Sequence, residues 1–349
     1  MKIKKGRAGI LAQSREPLVV DEIELPEALD AGQVLVRVLY TTICGAQINE
    51  IDAVKGVDKF LPHLLGHEAS AEVVEIGPGV TTVKPGDTVV LHWRPSNGIQ
   101  SRPPAYSWRG QKLNAGWVTT FNEFAVISEN RMTVIPSDFD LKIAPLFGCA
   151  VTTAAGVVNN DAKLKIGESV VIFGVGGVGL NCVQFAALAG GYPIVAVDLL
   201  DHKLEMAKAR GATHCINAGS TVDVASAIRD IVGAAGPDKV FETTGVKSVI
   251  ETAYELTHAD GTIVLVGVPN EKVTIYTLPI HFNKILTGSH GGDARPQIDI
   301  PRIIKLVKAG RISFDGIITD EFSLDDINPA FDLVRSGKAG RVLLRVSER

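Results

Sequence analysis

Residues 169–198 read SVVIFGVGGVGLNCVQFAALAGGYPIVAVD, and their types and spacing suit the binding of a dinucleotide. Gly174 permits a sharp turn, Gly176 lets the backbone approach a pyrophosphate with no Cβ in the way, and Gly179 lets a helix pack closely on a strand. Gly177 and Val178 complete the loop, and the N–H groups at the start of the helix would meet phosphate. Asp198 follows nineteen positions after Gly179. An acid there accepts hydrogen bonds from the adenosine ribose and repels a 2′-phosphate, so NAD is expected rather than NADP. Lys203 is a further candidate ribose contact. The chain also carries four thiols, Cys44, Cys149, Cys182 and Cys215. In a long chain without an export signal, these point to metal binding or catalysis rather than structural disulfides.

The elements that must hold the glycine loop are legible around it. The apolar, β-branched run 170–173 predicts a strand, the segment from the loop to about residue 189 a helix, and the run 194–197 a second strand. Further on, strands are expected at 214–217, 239–242 and 262–266, with helices at 202–210, 222–232 and 246–256. This alternation predicts a parallel, doubly wound α/β sheet of the Rossmann type. Later helices are expected near 300–309 and 325–336, and a last strand at 341–346.

The first ninety residues read differently, as strand-like segments such as QVLVRV at 33–38 and AEVVEI at 71–76, punctuated by the turns GPG and KPGD. That texture predicts a compact β-barrel. Residues 92–116, rich in Pro, Gly, Ser and Arg, read as a long surface loop. Residues 145–158 suit a helix joining two domains.

Length and composition set outer limits. At 349 residues, two domains are expected. With 46% hydrophobic and 21% charged residues the chain is not of disordered type. The net charge of −4 offers no basic field for nucleic acid or an anionic membrane, so a small-molecule substrate is expected. The basic N-terminus is not followed by an apolar run long enough for a signal peptide, and no stretch suits a membrane span, so a cytoplasmic protein is expected.

Taken together, Cys44 in CGAQIN, His67 in GHE, the GPGVTTVKPGD turn, Cys149 in FGCAVTTA, the GVGGVG loop and the closing SGKAGRVLL resemble the medium-chain, zinc-dependent alcohol dehydrogenase family. The resemblance spans nearly the whole chain. It implies a GroES-like β-barrel catalytic domain, residues 1–150 and 291–349, and an inserted Rossmann NAD-binding domain, residues 151–290. It implies that Cys44, His67 and Cys149 ligate a catalytic zinc, with Glu68 beside the metal as an outer or transient ligand. Hydride would pass between an alcohol and the nicotinamide. Arg341 matches an arginine that reaches the pyrophosphate, and Val266, Gly267 and Val268 match backbone lining the nicotinamide.

Departures from the family pattern carry expectations too. The four close cysteines of a structural zinc are missing, so one catalytic zinc per chain is expected and no structural zinc. Trp93 falls where the family places an aromatic wall of the substrate pocket. The hydroxyl that relays the alcohol proton is replaced by Ala46, the relay's outer histidine aligns with Asn49, and the acid that orients the zinc-bound histidine aligns with Gln47. His92 is the candidate substitute for the relay. Arg94, Arg102 and Arg109, with Tyr106 and Trp108, suggest recognition of a polar or anionic secondary alcohol, of polyol or sugar type. Two other readings stay open: a zinc-free reductase acting on enones or quinones, and a non-catalytic NAD-binding sensor. Relatives pair through the last strand of the Rossmann sheet, here near residues 285–288, which implies a homodimer or homotetramer.

Overall fold

The short β-branched runs of the middle of the chain form a six-stranded, all-parallel sheet. Its order is His214–Asn217, Ile194–Asp198, Val170–Phe173, Lys239–Glu242, Thr262–Leu265, Ile285–Gly288. All four residues of Val170–Phe173 are buried, which is why this strand reads as a continuous apolar run rather than an alternating one. The strand order reverses between Val170–Phe173 and Lys239–Glu242, and the carboxyl ends of strands at such a reversal form a binding crevice. The glycine loop leaves the first of these two strands there. It feeds the helix Gly177–Leu188. The computed structural model describes residues 1–54 and 56–348.

The chain divides into two compact units, Ala150–Ala294 and Met1–Cys149 with Arg295–Arg349. The second crossing falls after Ala294 because the turn Gly291–Asp293 is built into the first unit. Asn160 Nδ2 donates to the Gly292 carbonyl at 2.9 Å. A Cβ on Gly156 would lie 1.9 Å from that same oxygen, so the two backbones touch. The connecting helix expected over residues 145–158 is divided. Pro145 and Gly148 lie in a 3₁₀ segment, Ala144–Gly148, and Cys149 sits at φ −146°, ψ −74°, outside any helix. The α-helix proper is Ala150–Gly156 and opens into a π turn, Val157–Asp161.

In the other unit, Gln33–Thr42 pairs with Ala69–Ile76, Phe124–Ser128 and Arg341–Arg345, so the C-terminal strand closes a seven-stranded sheet begun by the N-terminal half. Leu11, Val36, Leu91, Phe121, Ile327 and Leu344 belong to the core packed against it. A five-stranded sheet runs His63–Leu64, Lys5–Leu11, Val19–Glu24, Tyr106–Trp108, Gln111–Leu113.

That last hairpin corrects the reading of residues 92–116 as a surface loop. Tyr106 and Trp108 are buried at 2% and 6% exposure, the Tyr106 hydroxyl accepts the Val126 N–H, and the Trp108 indole donates to Asp21. Strands of three residues carry no periodicity for a sequence reading to catch. The segment before the hairpin is fastened from outside. Glu129 accepts hydrogen bonds from the backbone of Thr81, Thr82 and Ile99, and Arg131 donates to the Trp93 carbonyl and to Gln100 Oε1.

Candidate active site

Three chain segments deliver a candidate metal cluster. Cys44 lies two residues past the strand Gln33–Thr42 and stands as N-cap of a short helix, Gly45–Ile51, which the sequence reading did not anticipate. His67 and Cys149 each follow a glycine that no other residue could replace. A Cβ on Gly66 would lie 2.2 Å from Thr120 Oγ1, and one on Gly148 would lie 2.3 Å from the Leu91 carbonyl oxygen. Gly66 also holds φ +90°. These tight passages bring the ligand atoms of Cys44, His67 and Cys149 within 4.8 Å of one another, the one such His, Cys or acid cluster among the described residues.

The donor set fits zinc. His67 Nε2 is buried and has no hydrogen-bond partner, while Nδ1 is engaged by Gln47. Two thiols and an imidazole nitrogen left over in this way are a soft, three-ligand set that leaves a fourth tetrahedral position open. The protonation pattern leans the same way. A hydrogen bond from Cys149 holds the Cys44 thiol well below its ordinary pKa, against burial, and the same bond pushes Cys149 up. Burial works against the charged form of His67, but the adjoining Cys44 outweighs it and raises the pKa.

Behind the cluster lies a buried network. Glu68 is fully buried; Thr42 Oγ1 donates to its Oε1 at 2.7 Å and Arg341 forms an ion pair with the same oxygen. Arg341 also donates to Thr42 at 2.8 Å. Burial raises the Glu68 pKa and Arg341 only partly offsets it. Its Oε2 has no partner. Arg341 therefore braces the carboxylate next to His67. The Thr42 role was missed; its trace in the sequence is a pair of threonines, Thr41 and Thr42, at the fully buried end of an apolar strand.

His92 is also corrected. It is fully buried, its Nδ1 engages the Arg94 carbonyl at 2.7 Å and its Nε2 the Thr133 hydroxyl at 2.9 Å. Burial lowers its pKa to about 4. With both nitrogens committed, it has none with which to relay a proton. Asn49 lies partly exposed on the helix Gly45–Ile51, with Ala46 exposed beside it. Tyr106 and Trp108 are turned into the core, and Arg109 is stacked on Trp108 and paired with Asp21, so these three are spent on folding. Arg102 is exposed, and Trp93 and Arg94 are partly so.

The glycine loop lies in the other unit and interlocks with its own helix. Gly174 holds φ +81°, and a Cβ on Gly179 would meet the Gly174 oxygen at 1.9 Å, so loop and helix interlock. Around Gly176 there is nothing within 4 Å of a Cβ position. Gly177 and Val178 open the helix. Asp198 ends its strand and accepts N–H groups of Val175, Leu199 and Leu200, which aims the carboxylate across the loop. Lys203 lies in the first turn of the helix Asp201–Lys208. The Val266 and Gly267 N–H groups both donate to the Glu242 carbonyl, and Val268 is exposed at 66%.

Comparison with known proteins identifies the family of folds to which this chain is similar. Residues 30–137 match the alcohol dehydrogenase GroES-like domain and residues 177–309 the zinc-binding dehydrogenase family. The chain is 33% identical to S-(hydroxymethyl)glutathione dehydrogenase of Paracoccus denitrificans over 96% of its length and 98% of the relative's. It is 30% identical to the NDMA-dependent alcohol dehydrogenase of Amycolatopsis methanolica, covering 96% and 97%. Its fold superposes on an alcohol dehydrogenase zinc-binding domain protein from Burkholderia ambifaria with TM-score 0.91, at 29% identity and covering 99% and 100% of the two chains. For the benzyl alcohol dehydrogenase of Acinetobacter calcoaceticus the TM-score is 0.88, at 25% identity and with the same coverage.

Proposed function

The chain belongs to the zinc-dependent alcohol dehydrogenase family, and from that premise we propose that it interconverts an alcohol and its carbonyl compound with NAD and one catalytic zinc per chain. The observation that carries the reading is the cluster of Cys44, His67 and Cys149 with its unpartnered imidazole nitrogen. When bound, zinc supplies a Lewis acid for the substrate hydroxyl and NAD a hydride acceptor. Cys44, His67 and Cys149 hold the metal. Glu68, braced by Thr42 and Arg341, keeps a second carboxylate oxygen free next to His67, and we assign it the task of holding or passing a proton in place of the relay lost at Ala46. The open space at Gly176 takes the pyrophosphate, and Asp198, with Lys203 beside it, takes the adenosine ribose.

The substrate in this reading is a polar secondary alcohol, of polyol or sugar type, with Trp93, Arg94 and Arg102, each of which keeps exposed surface, as the candidate recognition residues. The protein would act in the cytoplasm as a dimer or tetramer. Ile285–Gly288 is an edge strand with Ile285 exposed at 51% and Phe282 at 67%, a surface that pairing with a second copy would cover. No helix among the described residues is long and apolar enough to cross a membrane. The test is zinc content per chain with NADH-linked activity on a panel of alcohols, for wild type and Cys149→Ser. One zinc per chain, lost with activity in the variant, is expected. Wild type without zinc but active on enones would transfer the assignment to a reductase.

A further inference from the structure

Gln47 touches two of the three cluster residues at once. Its Oε1 accepts the Cys44 backbone N–H at 2.7 Å, and its Nε2 lies against His67 Nδ1. It is 1% exposed, so solvent cannot make good a missing partner. With Nδ1 engaged by Gln47, the nitrogen that His67 has left for the cluster is the unpartnered Nε2. A neutral imidazole that gives its Nε2 lone pair to a metal carries its proton on Nδ1, and a metal-bound histidine normally delivers that N–H to an acceptor.

The loaded site therefore presents residue 47 with two donors, the Cys44 N–H and the His67 Nδ1–H. A carboxamide has one acceptor oxygen; a carboxylate of the same length has two. Exchanging the amide oxygen and nitrogen moves the shortfall from His67 to Cys44 without removing it. A buried donor left unpaired is costly, and here the cost falls only on the metal-loaded form. We infer that Gln47 is a positioning residue that makes this a weakly held, exchangeable zinc site: loading turns the amide oxygen from Cys44 to His67 and strips the Cys44 N–H of its acceptor. The inference rests on the zinc reading above.

The test uses the full chain and zinc alone. The zinc dissociation constant is measured by competition with a chromophoric chelator for wild type, Gln47→Glu and, should the longer acid fold poorly, Gln47→Asp. Unfolding midpoints of the zinc-free proteins check the fold. Tightening by about 10- to 100-fold in the acid variants is expected, the range typical of partners of a metal-bound histidine. Hydrogen exchange at the Cys44 amide separates hydrogen bonding from added charge. It should be faster in zinc-loaded wild type than in the zinc-loaded acid variant. Equal affinities, or equal protection of that amide, would overturn the inference while one bound zinc left the functional reading standing. A wild-type chain that takes up no zinc would sink both.

Discussion

Two histidines and two glutamates of the same unit are set in contrasting ways. His92 and Glu129 are both fully buried, and each finds its partners: His92 through Arg94 and Thr133, Glu129 through four donors on Thr81, Thr82 and Ile99. His67 and Glu68, adjacent in sequence, are each left with one buried, partnerless atom, Nε2 and Oε2. The protonation shifts follow the same division. The donors around Glu129 outweigh its burial and lower its pKa, whereas burial raises that of Glu68. Where the polar chemistry is closed the residue holds a fold, and where it is left open the residue is available to a metal, a proton or a ligand.

The contrast is broken most severely at His67. His67→Ala should lose zinc and lower NADH-linked turnover by at least ~10³-fold, equivalent to about 4 kcal/mol. The zinc-free protein should lose only about 1–3 kcal/mol, the cost of leaving the buried Gln47 Nε2 without its partner at Nδ1, because Nε2 had no partner to abandon. A larger loss of zinc-free stability would mean that His67 is as closed as His92.

Glu129→Ala should do the reverse. It orphans backbone N–H groups on two segments and should lower stability by about 3 kcal/mol, read from urea midpoints. Zinc stoichiometry should stay that of wild type, since residues 81–99 supply no ligand. The pH dependence of stability sharpens the point. Burial holds His92 at about 4, below the ordinary histidine value of 6.5, so between these two values the unfolded chain binds a proton that the folded chain refuses. Stability present above pH ~6.5 should therefore fall as the pH drops toward 4, by up to about 3 kcal/mol. His92→Gln should flatten that slope, and an unchanged slope would show that other groups produce it.

The open and closed regions were not equally legible. The parallel sheet announced itself because its central strands are buried on both faces, and the glycine loop because Gly174 needs a positive φ and Gly179 has no room for a Cβ. The expected strands at 214–217, 239–242 and 285–288 coincide with those formed. Residues 92–116 were misread because what orders them lies far along the chain: Glu129 holds the Ile99 N–H, and Trp108 reaches Asp21. The brace from Arg341 to Glu68 was hidden for a related reason. The two become neighbours only when the strand Arg341–Arg345 joins Gln33–Thr42. The helix Gly45–Ile51 spans seven residues and buries only Gln47 and Ile51, too little apolar face to show as a pattern.

The smallest effect tests the division inside the glycine loop, where two glycines of one motif fall on opposite sides of it. Gly179 is closed: any side chain there strikes the Gly174 carbonyl, so Gly179→Ala must push the helix Gly177–Leu188 off its strand and should destabilise the protein. Gly176 is open, with φ −74° that alanine adopts freely and nothing within 4 Å of the added methyl. Gly176→Ala should then leave the unfolding midpoint unchanged and weaken NADH binding about tenfold, or 1.4 kcal/mol, because the methyl takes space reserved for the pyrophosphate. Fluorescence titration with NADH reads the affinity and a thermal melt the stability. If Gly176→Ala bound NADH as tightly as wild type, the emptiness at Gly176 would be a gap in packing and the pyrophosphate would have to be held elsewhere along the loop.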